Sequence, residues 1–204
     1  MQNNVEENTD PAFLDGNYWS NRYNDGTSFW DLGEVSPPLK NYIDQFSDKN
    51  KRILIPGCGN TYEADYLLTQ EFTNIAVIDI APTLVMKLKE KYKDNPHIKI
   101  IFGDFFKHEG QYDLILEQTF FCAINPSLRK NYVAKMSELL AANGKLVGVL
   151  FNRQFEEQGP PVGGSKSEYE PMFANVFILK TFEPCYNSFI KRKDSELFIN
   201  LVRK

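Results

Sequence analysis

Histidine and cysteine are scarce in this 204-residue chain, and neither clusters. With only His97 and His108 there is no Ser-His or Cys-His arrangement for nucleophilic catalysis and no zinc-ligand spacing, so no metal site is expected. Cys58, Cys122 and Cys185 share no paired spacing, which excludes a disulfide framework and favours a reducing, cytoplasmic setting. Cys58 and Cys122 read as small buried residues, and both histidines as structural ones. No apolar run approaches the roughly 20 residues needed to cross a bilayer, and the polar first ten residues lack a signal-peptide pattern. Basic charge is also short: 23 Lys and Arg stand against 27 Asp and Glu, a net charge of −4, which argues against a general nucleic-acid partner. The one local lysine run, at 87, 89, 91 and 93, wraps around more than one helix face and reads as a solvated surface.

Aromatic residues are abundant instead: 16 Phe, 10 Tyr and 2 Trp. Both tryptophans, Trp19 and Trp30, fall before any core strand begins, a placement that a core-packing role does not explain. The remaining composition and the length fit one globular domain over residues 1–204.

From residue 36 the pattern becomes regular. Ser36 with Pro37 and Pro38 predicts a helix over 36–46. Short apolar strands follow at 51–56, 74–80, 98–102 and 112–116, with helices at 60–71, 82–92 and 127–140 between them, then a strand at 144–151 after the Asn143-Gly144 turn. Strands alternating with helices imply a doubly wound, Rossmann-like α/β domain with a mainly parallel sheet, whose ligands bind at the carboxyl ends of the strands. The end of the chain breaks the rule. After a Gly/Pro-rich loop at 158–165 and a short helix at 167–174, strands at 176–182 and 197–202 are too closely spaced for a crossover and predict an antiparallel hairpin.

Gly57-Cys58-Gly59 follows the first strand and leads into a helix, where glycine permits a sharp turn and close approach of a ligand. Asp79, twenty residues after Gly59 at the end of the second strand, is placed to accept hydrogen bonds from both hydroxyls of an adenosine ribose. Tyr62 occupies the third position of a dinucleotide fingerprint, which speaks against a nicotinamide-dependent oxidoreductase, and no Gly-Lys-Ser/Thr follows to make a P-loop. A short glycine turn with a distal acid suits S-adenosylmethionine, in an enzyme or in a non-catalytic binding module.

The strings FWDLGEVSPPL, ILIPGCG, AVIDI, GDFF, YDLILEQTFFCAINPSLR and GPPVGGS, with Tyr169, resemble the thiopurine methyltransferase superfamily, and most closely its thiol and halide methyltransferase branch. The resemblance runs from about Tyr18 to the C-terminus. It implies a class I methyltransferase fold, S-adenosylmethionine as cofactor, and a small-molecule acceptor that is a thiol, hydrogen sulfide, thiocyanate or halide; a thiopurine-type aromatic acceptor is the alternative. It further implies an aromatic lid within residues 1–35 and a cofactor site built from Trp19, Tyr23, Trp30, Gly57, Asp79, Asp104, Phe105 and Glu117. Each role is physically reasonable. Aromatic faces attract a sulfonium, Asp104 can accept from the adenine amine, Phe105 offers a backbone N–H and a ring, and Glu117 can hold the methionine ammonium. On the acceptor side, Phe29 and Phe120 or Phe121 are expected as walls. Tyr169 and the loop at Gly163-Gly164 would close it, with Tyr169 the one catalytic candidate. A cytoplasmic monomer is expected.

Overall fold

The computed structural model describes residues 14–156 and 159–204, so most of the first half of the expected 1–35 lid and Gln158 of the late loop lie outside the described residues. Its centre is a seven-stranded sheet of β1 (Ile53–Pro56), β2 (Ile75–Asp79), β3 (Ile98–Phe102), β4 (Tyr112–Gln118), β5 (Leu140–Phe151), β6 (Phe177–Pro184) and β7 (Glu196–Arg203), in the order β3-β2-β1-β4-β5-β7-β6. The first five strands pair in parallel, and β7 runs antiparallel to both β5 and β6, as the short connection requires.

Both sheet faces are covered, so β1 and β2 are buried at every position. Neighbouring residues serve opposite faces. Ile53 and Ile55 pack toward α2 (Pro37–Ile43), α3 (Tyr62–Thr69) and α4 (Pro82–Lys91), against Leu39, Ile43, Leu67 and Leu84. Leu54 between them packs toward α5 (Arg129–Leu139) and α6 (Lys166–Ala174), against Tyr132, Met136 and Phe173. Helix starts follow their local chemistry: prolines open α2 and α4, and the Ser165 hydroxyl accepts from the Glu168 N–H at 3.3 Å to start α6. The lysine run stays on the surface, where Lys91 pairs with Asp65 at 2.6 Å and Lys93 with Glu90 at 2.7 Å. No helix among the described residues is long and apolar enough to cross a membrane.

Two local features differ from the sequence reading. Asn143-Gly144 is not a turn before a strand but a bulge inside β5, which begins at Leu140: Tyr112 pairs with Leu140 and Leu114 with Lys145, so the extra residues are extruded. Asn143 takes a φ of +60°, and a Cβ on Gly144 would come within 2.9 Å of the Tyr112 carbonyl. The aromatic segment contains a helix, α1 (Gly16–Asn24), capped by Asp15, whose carboxylate accepts from the Tyr18 N–H at 2.8 Å.

Candidate active site

At the carboxyl ends of β1 to β4, under α1 and Trp30, lies a cavity of about 530 Å³. Seven of the residues expected to hold a cofactor line it: Trp19, Tyr23, Trp30, Gly57, Asp79, Asp104 and Phe105. The sheet sets their spacing, because parallel strands in register end side by side and bring residues twenty or more apart into one crevice.

Gly57 and Gly59 have φ of +55° and +53°, a left-handed conformation that glycine adopts without strain. A Cβ on Gly57 would meet Cδ2 of Phe120 at 2.2 Å, so the missing side chain is what lets Phe120 lie over the turn. The Asp79 carboxylate accepts from the Ala81 N–H at 2.9 Å and the Gly59 N–H at 3.2 Å, tying the glycine turn to the second strand. Burial pushes its pKa up while those N–H groups oppose the rise. Asp104 caps the helical turn Phe105–Lys107 by accepting from the Phe106 N–H at 2.9 Å, and this turns the Phe105 ring edge-on to Phe120, with centroids 5.1 Å apart.

The roof is aromatic and braced from afar. The rings of Trp19 and Tyr23 stand edge-on to Trp30 at 5.4 and 5.8 Å. The Trp30 carbonyl accepts from Arg192, a buried residue 162 positions later that also pairs with Glu196 at 3.3 Å. Burial and nearby Asp79 drive the Tyr23 phenol pKa well upward, so the hydroxyl stays neutral.

Glu117 is not on the cavity wall. It is wholly buried beneath Phe120: Oε1 accepts from the backbone N–H of Phe120 at 2.8 Å and of Phe121 at 3.0 Å, and Oε2 from the Tyr132 hydroxyl. A chain that turns back directly after β4 needs an acceptor for those two N–H groups, and the carboxylate provides it. Burial pushes its pKa up to about 7.

The acceptor-side expectations divide the same way. Phe120 lines the cavity, while Phe121, the next residue, points into the core and packs edge-on against Tyr132 and Tyr169 at 5.0 and 5.1 Å. Phe29 is 86% exposed, facing away from the cavity that its neighbour Trp30 lines. Tyr169 is 1% exposed and touches no part of the cavity. Its hydroxyl sits where a Cβ of Gly164 would be, 2.0 Å away, so it supports the late loop from below instead of meeting an acceptor. The Arg129 guanidinium covers the rings of Phe121 and Tyr169 and donates to the carbonyls of Val162 and Gly163 at 3.0 and 2.9 Å.

The cavity's outer wall includes Thr119, Cys122, Asn131 and the pair Pro160-Pro161, which the sequence reading did not assign. The prolines lie in the GPPVGGS string already singled out; Asn131 carries no local signal, because its position depends on where α5 docks. Cys58 and Cys122 are buried, and burial pushes both thiols up, Cys122 to about 12. His97 is exposed, and His108 is hydrogen-bonded to the Tyr112 hydroxyl at 2.8 Å, away from the cavity. Among the described residues no group of three or more His, Cys, Asp or Glu is arranged to hold a metal.

Residues 14–198 match the family model described as thiopurine S-methyltransferase. The chain is 32% identical over 157 residues to a probable thiol methyltransferase 2 of Arabidopsis thaliana, covering 74% of this chain and 69% of that protein. It is 29% identical over 192 residues to a thiocyanate methyltransferase 1 of Brassica oleracea, covering 91% and 84%. Among solved structures it resembles the Burkholderia thailandensis 1,6-didemethyltoxoflavin-N1-methyltransferase with bound 1,6-didemethyltoxoflavin and S-adenosylhomocysteine. The TM-score is 0.77, at 14% identity, covering 100% of this chain and 93% of that one.

Proposed function

Because this chain belongs to the thiopurine S-methyltransferase family and is an S-adenosylmethionine-dependent methyltransferase, we propose that its acceptor is a small soft nucleophile: a thiol, hydrosulfide, thiocyanate or halide. The residues present fit the cofactor. The side-chain-free turn at Gly57 and Gly59 leaves room for close approach, Asp79 keeps lone pairs beyond its two backbone bonds for a pair of ribose hydroxyls, and Asp104 with Phe105 suits an adenine edge and face. When bound, S-adenosylmethionine supplies a methyl carbon attached to a cationic sulfur.

The observation that carries the acceptor class is the chemistry of the cavity wall. Among the described residues it holds no histidine, lysine, arginine or glutamate, and its phenol and thiol, Tyr23 and Cys122, are both pushed upward and stay protonated. Its three carboxylates are committed to other tasks, Asp15 and Asp104 to helix N-caps and Asp79 to the glycine turn, so among the described residues the wall offers no dedicated base for a neutral amine or alcohol. A nucleophile that arrives already anionic needs no base. The walls then contribute in two ways: they hold the acceptor in line with the methyl carbon, which in well-oriented reactions lowers barriers by up to about 7–11 kcal/mol, and they keep water off the anion. The relatives named for thiol and thiocyanate methylation point the same way.

Transfer of labelled methyl to iodide, thiocyanate, hydrosulfide and aromatic thiols tests the proposal. Turnover of the small anions is expected to exceed that of the aromatic thiols at equal concentration; transfer to aromatic thiols alone overturns it. The aromatic roof makes a separate prediction. A cation over an aromatic face gains about 0.5–2 kcal/mol, so Trp30→Leu should weaken S-adenosylmethionine about 2- to 30-fold more than it weakens S-adenosylhomocysteine, whose sulfur carries no charge. Calorimetric titration of both ligands checks this, and equal losses would leave Trp30 no role in recognising charge.

A further inference from the structure

Arg129, the first residue of α5, is buried and touches no part of the cavity, yet its bonds converge on the segment that follows Pro160-Pro161. Its Nη2 donates to two successive carbonyls, of Val162 and Gly163, while Nη1 pairs with Glu168 in the first turn of α6 at 3.0 Å. The Val162 N–H in turn donates to the carbonyl of Cys122, a cavity residue, at 2.7 Å. The late loop is therefore gripped from both sides at one residue. As a source of stability the guanidinium is a poor choice: its counterion Glu168 is half exposed, its own Nε is buried without a hydrogen-bond partner, and an apolar side chain of similar volume often serves a core as well as a buried ion pair does. What a rigid planar fork provides, and an apolar side chain does not, is a fixed direction for the two carbonyls that it holds.

We infer that Arg129 is a positioning residue that sets the size of the acceptor compartment, by fixing the distance between the Pro160-Pro161 wall and the turn that carries Thr119 and Cys122. The inference rests on the methyl-acceptor reading above. The strand order β3-β2-β1-β4-β5 puts Asp104 and Asp79 past β3 and β2, at one end of the cavity, and the chain that leaves β5 at the other, which is the end left for an acceptor. Proline has no N–H, so this wall offers a small anion an apolar, water-shedding surface and no donor that would hold it back. Held close, the wall suits a small nucleophile. With the fork removed, the two carbonyls turn to water, the wall backs away, small acceptors lose contact on one side and larger ones gain room. The cofactor residues are secured independently: Asp79 by the N–H groups of Ala81 and Gly59, Asp104 by that of Phe106, and Trp30 by Arg192.

The test follows kcat and KM for acceptors of increasing size (hydrosulfide, thiocyanate, thiophenol and 2-naphthalenethiol) in the full chain and in Arg129→Met, Arg129→Lys and Glu168→Gln, with calorimetric titration of S-adenosylhomocysteine beside it. In Arg129→Met, KM for the smallest acceptor that the parent uses is expected to rise about tenfold or more, and the ratio of kcat/KM for the largest over the smallest to rise by at least as much, while S-adenosylhomocysteine affinity stays within about twofold. Lysine keeps the charge and can reach one carbonyl but not hold two, so Arg129→Lys should fall between parent and Met variant, and it carries the test if the Met variant does not fold. Glu168→Gln leaves the fork on both carbonyls and should keep the parent's size profile. An unchanged profile in the Arg129 variants, loss of S-adenosylhomocysteine affinity in step with acceptor turnover, or a shift in Glu168→Gln as large as in Arg129→Met overturns the assignment. The parent's own preference among these acceptors tests the acceptor class separately, because the role of Arg129 is read only from the change between parent and variant.

Discussion

Replacing Asp79 with alanine is expected to lower affinity for S-adenosylhomocysteine at least a hundredfold. The carboxylate is 8% exposed, on the cavity wall at the end of β2, and two of its lone pairs are already engaged by the N–H groups of Ala81 and Gly59. Each hydrogen bond to a charged acceptor contributes about 1.5–3 kcal/mol, so losing a pair from the ribose removes about 3 kcal/mol or more, and 1.4 kcal/mol is a factor of ten. Alanine also leaves the Gly59 N–H without its acceptor, which loosens the turn beneath the ligand. Asp79→Asn retains one side-chain oxygen and is expected to fall between the parent and the alanine variant. Burial raises the pKa of Asp79, so acidification through that raised value protonates the acceptor and weakens binding. A loss smaller than fivefold for the alanine variant, measured by calorimetry, would remove Asp79 from the ribose site.

Glu117→Gln should stabilise the protein by an amount that grows as pH rises from about 5 and is complete above about 7. The carboxyl pKa is raised from 4.5 to about 7 by complete burial. Between those values the native state keeps a proton that the unfolded chain gives up, so stability falls as pH rises through the window; above about pH 7 the native state bears the full cost. A shift of this size corresponds to about 3 kcal/mol. Glutamine keeps the shape: its oxygen can accept from the Phe120 and Phe121 N–H groups, and its amide can donate to the Tyr132 oxygen, although the Tyr132 hydroxyl loses its acceptor. The net gain is then about 2 kcal/mol, or roughly 4–8 °C in melting temperature for a chain of this size. Thermal unfolding followed from about pH 5 to pH 8 should show the difference between variant and parent growing from near zero. A difference that does not vary with pH would mean that the buried carboxyl is not the source.

Much of the framework is legible in the residues. β3 spans the same five residues in sequence and structure, and the helices at Pro82 and Lys166 start within a residue of their expected positions, because prolines and N-caps act over one turn of chain. Helix α1 was not legible. Its residues GNYWSNRYN are poor helix formers, and the helix is held by its Asp15 cap and by packing on the sheet domain. The bulge in β5 escaped for a related reason: Asn-Gly reads as a turn wherever it occurs, and only the pairing of Tyr112 with Leu140 shows that the strand continues through it.

The alternation of strands and helices, the glycine turn, the acid twenty residues beyond it and the aromatic segment ahead of the first strand are all written in the residues. These are local patterns, set by side-chain periodicity and turn chemistry over a few residues. The direction in which individual side chains face is settled by the assembled fold. Phe120 and Phe121 are identical neighbours, and Phe29 and Trp30 are adjacent aromatic residues, yet one of each pair lines the cavity and the other lies in the core or in solvent. Glu117 and Gln118 differ as sharply: both carboxylate oxygens of the first accept hydrogen bonds in the core, while the side-chain oxygen of the second is buried without a partner. In β4 successive side chains point to opposite faces, and in the turns that hold Phe29–Trp30 and Phe120–Phe121 the path of the backbone sets which ring faces inward, so the choice belongs to the docking of the whole segment, which no short stretch of residues encodes.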